Sequence, residues 1–192
     1  MSINSHSLYE VFEHQKTDLL LHLLESMPDL DKVLVIVHTR DSLHSLTSTL
    51  CHAGVRAESI HGNKKAELRD RAMKGLSEGK LRLIASTESM ARDLDTSCIK
   101  NVVYFDLPEL VSDYQQRVAQ MHVLTLAVPG DRKLAKLESE VGIEIQRVKA
   151  PDFKYAKQPV HSKPPRKKGG KSKGLHSKPL QNKKPKLNRG RK

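Results

Sequence analysis

The stretch that decides the fold is VLVIVHT, residues 33–39, an almost unbroken run of aliphatic and β-branched side chains. A strand with one face in water alternates apolar and polar residues, whereas a strand covered on both faces is apolar throughout. Residues 33–39 therefore predict a strand that is buried on both faces. Such strands belong to parallel sheets, in which crossover helices cover the two faces.

Helical patterns and further strands surround this run on both sides. Leu43, Leu46 and Leu50 recur at helical spacing, and Gly54 ends the helix that they predict. We predict strands at 33–39, 56–60, 81–86, 101–106 and 124–128, helices at 16–27, 41–53, 64–76, 109–122 and 131–141, and a short helix or turn at 88–94. This alternation indicates an α/β domain, a parallel sheet of about five strands with helices on both faces.

Charge is distributed unevenly along the chain. Residues 151–192 contain 12 Lys and 3 Arg against one acid, Asp152; they carry a net charge of about +14, which leaves about −2 of the total of +12 on residues 1–150. After Val148 large apolar side chains nearly vanish, so the segment cannot bury enough surface to offset the entropy of ordering. We predict a linker-like lead-in at 1–15, a folded domain at 16–148 and a disordered Lys/Arg/Pro-rich tail at 149–192.

The basic tail indicates the class of partner. Its charge attracts a polyanion through counterion release, but it gives no sign of a basic groove on the domain itself. We expect the tail to contact nucleic acid through Arg166, Lys167, Lys168, Lys171, Lys173, Lys183, Lys184, Lys186, Arg189 and Arg191. The sequence shows no signal peptide and no bilayer-spanning apolar run, and its two isolated cysteines form no metal-binding C-x-x-C pair. We therefore expect a cytoplasmic protein without a metal or a membrane partner.

Several motifs carry a resemblance to a known family. They are the lead-in at 9–20, VIVHTR at 35–40, IHGNK at 60–64 followed by Arg69, Ala72 and Gly79, STESMARDLD at 86–95, and NVVYFDLP at 101–108. In this order and spacing they resemble the interdomain segment, motif IV, the I-H-G-N-K stretch, motif V and the next strand of the second RecA-like domain of DEAD-box RNA helicases, especially of the RhlE type. The resemblance covers roughly residues 8–148 and implies a RecA-like fold.

Six residues near the predicted strand ends are candidates for an RNA site. They are Thr39, Arg40, His61, Gly62, Arg69 and Thr87. The carboxyl ends of parallel strands meet at one edge of a sheet, which is where such folds bind ligands. Hydroxyl, guanidinium and imidazole donors and a free glycine N–H suit phosphate and ribose, which position a strand without specifying its sequence. The resemblance implies that these residues contact the RNA backbone.

Purely structural roles are open for several of these residues. The alternatives are helix N-caps for Thr39 and Thr87, an ion pair of Arg69 with Glu67 or Asp70, a polar turn for His61, and an ion pair of Arg92 with Asp95. The residue types alone leave both sets of roles open.

The motifs that face ATP in the family depart from its pattern. Motif VI of the family reads H-R-I-G-R-T-G-R, and its later arginines stabilise charge on the transferred phosphate. Residues 116–122 read QRVAQMH instead. Asp93 stands where motif V has glycine, and Ala66 replaces the glutamine of Q-x-x-R. The resemblance implies that Arg92, Asp95 and Arg117 are a vestigial set of the residues that contact the nucleotide and the other domain in the family.

No catalytic motif is found in the sequence. There is no Walker A loop and no Asp-Glu-Ala-Asp motif; residues 170–172 end like a P-loop, but Pro165 stands where its first glycine belongs. We therefore expect no catalytic residue, no cofactor and no enzymatic activity of the chain alone. ATP is expected only if the chain pairs with a separate first RecA domain.

The primary functional expectation is a non-catalytic RNA-binding module, with rRNA and ribosomal particles among its candidate targets. One alternative is a regulatory domain that docks on the first domain of a helicase or on a ribosome-associated partner. Another is one half of a split or truncated ATP-dependent RNA helicase.

Overall fold

One parallel sheet organises the domain. The computed structural model describes residues 6–142 and 145–157, and their strands are β1 (His6–Glu10), β2 (Val33–Val37), β3 (Ala57–Ile60), β4 (Leu83–Thr87), β5 (Asn101–Tyr104), β6 (His122–Ala127) and β7 (Arg147–Val148). Their order is β3-β4-β2-β5-β6-β1-β7, and all neighbours are parallel. The α/β class is as predicted, but the sheet has 7 strands instead of about five.

Helices form the crossovers between these strands. Within the described residues they are α1 (Lys16–Ser26), α2 (Arg40–His52), α3 (Ala66–Ser77), α4 (Glu88–Ala91), α5 (Val111–Gln120) and α6 (Arg132–Val141), and a 3₁₀ turn, Glu13–Gln15, precedes α1. Each predicted helix is present. None of the helices in the described part of the chain is long and apolar enough to cross a membrane.

The sheet is covered on both faces, as the apolar run of β2 predicts. Val33, Val35 and Val37 pack with the buried leucines of α1 and α2. Leu34 and Ile36 point to the opposite face and pack with side chains of α3, α4, α5 and α6. All five β2 side chains are buried, because each face of the strand meets a layer of helices.

Two strands were missed by the sequence prediction. β1 lies between β6 and β7, with Leu8 paired to Thr125 on one side and to Arg147 on the other. The predicted lead-in at 1–15 is therefore part of the sheet over residues 6–10, and Leu8 is fully buried. β1 has a mixed polar and apolar sequence and β7 has only two residues, so neither shows the apolar run by which β2 is recognised.

The folded part also extends beyond the predicted boundary at 148. Residues 149–157, which we call the strap, pack against α1. Ala150 is buried and its N–H donates to Tyr155 Oη at 2.8 Å, while the Phe153 ring lies 5.5 Å from that of His22. Phe153 and Tyr155 thus supply the apolar surface that keeps this segment folded, although its net charge and composition predict disorder. The predicted tail contacts, Arg166 to Arg191, lie outside the described residues.

Candidate nucleic-acid interface

The ends of β3, β4 and β2 bring most of the candidate residues to one edge of the sheet. Ser86 pairs with Ile60 on one side and with Ile36 on the other. Thr87 ends β4, and the residues that follow β3 and β2 therefore emerge beside it. We call Thr39, Arg40, His61, Gly62, Arg69 and Thr87 the carboxyl-edge surface.

The two threonines differ in their local roles. Thr39 is the N-cap of α2, since its Oγ1 accepts the Ser42 N–H at 3.1 Å, so the capping alternative holds for it. Thr87 precedes α4 but makes no side-chain cap; its Oγ1 lies 3.4 Å from Ser89 Oγ. Thr39 is exposed, whereas Thr87 is only 9% exposed. The capping alternative therefore does not hold for Thr87.

The two arginines of the surface keep donors free for a ligand. Arg40 is the exposed first residue of α2. Arg69 lies half-buried on α3, where its Nη1 approaches Met90 Sδ at 3.4 Å. Neither forms an ion pair with a carboxylate of the described residues, so the expected pairing of Arg69 with Glu67 or Asp70 is absent. A guanidinium has five N–H donors, and most of them stay available here.

His61 joins the surface beside a second histidine that sequence reasoning missed. Its ring lies 5.0 Å from the His44 ring, edge to face, and its Nδ1 is buried without a hydrogen-bond partner among the described residues. Partial burial lowers the pKa of His61, and the electrostatic effects of His44, Lys64 and Arg40 lower it further. His61 is therefore neutral at pH 7. The spacing of Arg40 and His44, four residues apart in one helix, could have indicated this neighbour.

Gly62 lies next to His61 in an open position. A Cβ added there would meet no atom within 4 Å, and its backbone is outside the left-handed region. The fold of this domain itself therefore does not require a glycine at residue 62. Its exposed backbone is open to close approach by a ligand.

Arg117, from the vestigial set, points into the interior instead of to a ligand. It is 7% exposed, donates from Nη1 to Tyr104 Oη at 2.8 Å, and its guanidinium lies 6.0 Å from the centroid of the Tyr104 ring. Burial raises the pKa of Tyr104 to about 12, against the opposing effect of Arg117. Tyr104 therefore stays protonated, and the arginine is held in a core contact.

Arg92 and Asp95 do not form the pair that the sequence suggested. Arg92 Nε lies 3.3 Å from Asp113 Oδ2 on α5, an ion-pair contact without hydrogen-bond geometry. Asp95 Oδ1 accepts the Ser97 N–H at 2.9 Å. Hydrogen bonds from the backbone and the side chain of Ser97 lower the pKa of Asp95. Arg92, Asp113 and Arg117 line one small cleft between α4 and α5, of about 110 Å³, which we call the Arg117 cleft. Asp95 is not among its lining residues.

No metal site accompanies these residues. Over residues 6–142 and 145–157, no three His, Cys, Asp or Glu side chains are grouped so that they could hold a metal ion. The chemistry of the carboxyl-edge surface is therefore that of neutral and cationic hydrogen-bond donors.

Two solved structures share this architecture and define the class of the protein. A chain of the complex of E. coli DEAD-box protein SrmB with regulator of ribonuclease activity A superposes with a TM-score of 0.68 and 24% identity, over 80% of this chain and 98% of that chain. S. cerevisiae Dbp5 bound to RNA and ADP BeF3 gives a TM-score of 0.66 and 22% identity, over 77% of this chain and 42% of that chain. The protein is an α/β domain of the RecA-like type.

Sequence comparison gives the family. Residues 15–122 match the model of the helicase conserved C-terminal domain, and the chain belongs to that family. RNA helicase CrhR from Synechocystis is 31% identical over 128 residues, which are 63% of this chain and 26% of that protein. ATP-dependent RNA helicase DBP2 from Lodderomyces elongisporus is 36% identical over 112 residues, 57% and 20% of the two chains. The chain thus spans about a quarter or less of the length of these relatives.

Proposed function

We propose that the protein binds the backbone of single-stranded RNA through the carboxyl-edge surface and does not hydrolyse ATP alone. The observation that carries the proposal is that Arg40 and Arg69 form no ion pair with any carboxylate of the described residues and lie at the sheet edge where parallel folds bind ligands. Phosphate is the natural partner for such donors, and contacts to phosphate do not specify a sequence. CrhR is named as an RNA helicase and the Dbp5 structure is a complex with RNA, which supports RNA as the ligand.

The expected absence of catalysis rests on motif VI. The later arginines of the family motif stabilise the transferred phosphate, whereas residues 116–122, QRVAQMH, contain only Arg117, which donates to Tyr104 Oη in the core. Among RhlE-type helicases, to which we assign the chain, motifs V and VI would count as degenerate here, at Asp93 and residues 116–122. We expect no phosphate release from ATP at saturating RNA, and turnover above background would contradict this part of the proposal.

The basic tail adds affinity that depends on salt. Residues 158–192 contain 10 Lys and 3 Arg and no Asp or Glu, and each phosphate that a cation neutralises releases counterions. Binding is then steep in salt and tolerant of RNA sequence. A cytoplasmic location and targets such as rRNA in ribosomal particles are consistent with this mode of binding.

An RNA titration of charge variants tests the proposed surface. In the full chain we compare Arg40→Gln/Arg69→Gln with the control Arg71→Gln/Lys74→Gln, which removes the same charge from exposed positions of α3. We expect about tenfold weaker binding for the first variant, and a slope of log K against log salt that falls by about 1.4, since each phosphate contact contributes about 0.7. Equal effects of the two variants would contradict the proposal.

A second candidate function is docking on another protein. It is favoured by two structures with protein partners: the complex of SrmB with regulator of ribonuclease activity A and that of the Dbp5 C-terminal domain with Gle1. Pairing with a separate first RecA domain is the form that would allow ATP to bind. A pull-down with the wild-type chain that recovers no helicase or ribosome-associated protein counts against it.

A further inference from the structure

The strap carries the chain along α1 to one of its ends. His22, near the middle of α1, lies with Nε2 2.7 Å from the carbonyl oxygen of Pro151. Gln15, which directly precedes α1, donates from Nε2 to Lys154 O at 2.9 Å and accepts the Ala156 N–H on Oε1 at 2.7 Å. The strap therefore runs antiparallel to α1, and its last residues lie beside the N-terminus of that helix.

The N-terminus of α1 lies at the carboxyl edge of the sheet. Lys16, its first residue, has Nζ 3.4 Å from Asp106 Oδ1, just beyond the end of β5. Asp106 Oδ2 accepts the N–H of His38 at 2.9 Å, and His38 directly precedes Thr39 of the carboxyl-edge surface. The strap thus ends at the same edge of the sheet at which that surface lies.

Two rings and two lysines flank the place where the strap ends. The rings of Phe12 and His14 are stacked with 6.1 Å between centroids and 9° between planes; His14 is exposed and Phe12 half-buried. Lys154 and Lys157 are exposed, and neither forms an ion pair with a residue that the structure describes. We call Phe12, His14, Lys154 and Lys157 the exit surface.

The geometry points to the exit surface as a second contact site for single-stranded RNA, at the same edge of the sheet as the carboxyl-edge surface. The inference rests on the proposed function of the carboxyl-edge surface. Exposed lysines contact phosphates, and flat rings stack on nucleobases without selecting a sequence. The Gln15 hydrogen bonds hold the lysines of the strap next to the rings, so that one strand can meet both.

Charge variants of the full chain test the lysines. Lys154→Gln/Lys157→Gln is compared with Lys80→Gln/Lys100→Gln, which removes the same charge at the amino edge of the sheet, ahead of β4 and β5. The probe is a labelled, unstructured RNA of about 20 nucleotides, long enough to span more than one binding surface. We expect about tenfold weaker binding and a salt slope reduced by about 1.4 for the first variant only.

A ring variant tests stacking separately. His14→Ala is compared with His52→Ala, an exposed histidine in the last turn of α2 at the opposite edge. Loss of a stacked base predicts about fivefold weaker binding for His14→Ala and no change for His52→Ala. Circular dichroism confirms that each variant is folded.

The outcomes separate this inference from the proposed function. If the wild-type chain fails to bind the RNA at low salt, the proposed function fails and the exit surface fails with it. If Arg40→Gln/Arg69→Gln weakens binding while Lys154→Gln/Lys157→Gln matches its amino-edge control, the exit surface alone is overturned.

Discussion

The carboxyl-edge surface and the Arg117 cleft hold arginines in opposite circumstances. Arg40 and Arg69 lie beyond strand ends and form no ion pair with the described carboxylates. In the cleft, Arg92 is in contact with Asp113, and Arg117 is buried against Tyr104. The sequence contains the same side chain in both places, and only the surrounding elements decide whether its donors are open to a ligand or used within the fold.

Because of this difference, substitutions in the two regions should affect different properties of the protein. A guanidinium that is used inside the protein contributes to the free energy of unfolding, because its removal or the removal of its acceptor leaves a buried group unpaired. A guanidinium that forms no ion pair with the described carboxylates, and at most a weak contact to a thioether sulfur as in Arg69, contributes little to folding, so it can be lost at small cost in stability. Stability and RNA affinity should therefore respond to different arginines.

The largest expected effect comes from removing the acceptor of Arg117. Tyr104→Phe takes away the Oη that accepts the Arg117 Nη1 hydrogen bond and leaves a buried N–H unpaired. We expect the free energy of unfolding to fall by about 2 kcal/mol. Urea denaturation measures it, with Tyr9→Phe as the control, since no described residue hydrogen-bonds the Tyr9 hydroxyl. A change for Tyr104→Phe no larger than for Tyr9→Phe would mean that Arg117 is not held by this contact.

A smaller effect is expected where the carboxyl-edge surface also serves the fold. Thr39→Ala removes the cap on the Ser42 N–H, and a lost cap costs about 1 kcal/mol of stability. Thr39→Ser keeps the capping oxygen and should be nearly unchanged. Thermal unfolding of both variants checks this, and equal melting temperatures would exclude a capping role for Thr39.

The fold was predictable where a pattern is local. The continuous apolar run of β2 indicated a strand buried on both faces, and both helical layers are present. β1 was missed because only its pairing with β6 and β7 makes it a strand. The start of α5 was placed two residues early, at Glu109, whose N–H is bound by the carboxylate of Glu88 outside the helix. Such non-local partners leave no mark in a local pattern.

The site was predictable in position but not in contacts. Strand ends identified where Thr39, His61 and Thr87 would lie, because parallel strands end at a common edge. The partner of Arg92 is Asp113, 21 residues away, and not Asp95, three residues away. Which acid an arginine meets depends on helix packing, and spacing along the chain does not encode it.

The smallest expected effect is the response of RNA binding to pH. Burial and neighbouring positive charges hold the pKa of His61 below 6.5, so the side chain is neutral at pH 7. As the pH falls through that lowered pKa, His61 gains a charge that bound phosphate stabilises, and affinity should rise by a few fold. Titrations at pH 7.5 and 5.5 with His61→Asn, and with His52→Asn as control, check this. If RNA affinity still rises at pH 5.5 in His61→Asn, another titrating group causes the pH response.

The most direct test applies one substitution to both regions and measures two quantities. Arg69→Gln and Arg117→Gln are each assayed for RNA affinity, at a temperature where both are folded, and for the free energy of unfolding. We expect Arg69→Gln to weaken RNA binding about fivefold with a stability change within about 0.5 kcal/mol, and Arg117→Gln to lower stability by about 2 kcal/mol with unchanged RNA affinity. If RNA affinity falls equally in both variants, the division between a ligand-facing edge and a structural cleft is contradicted.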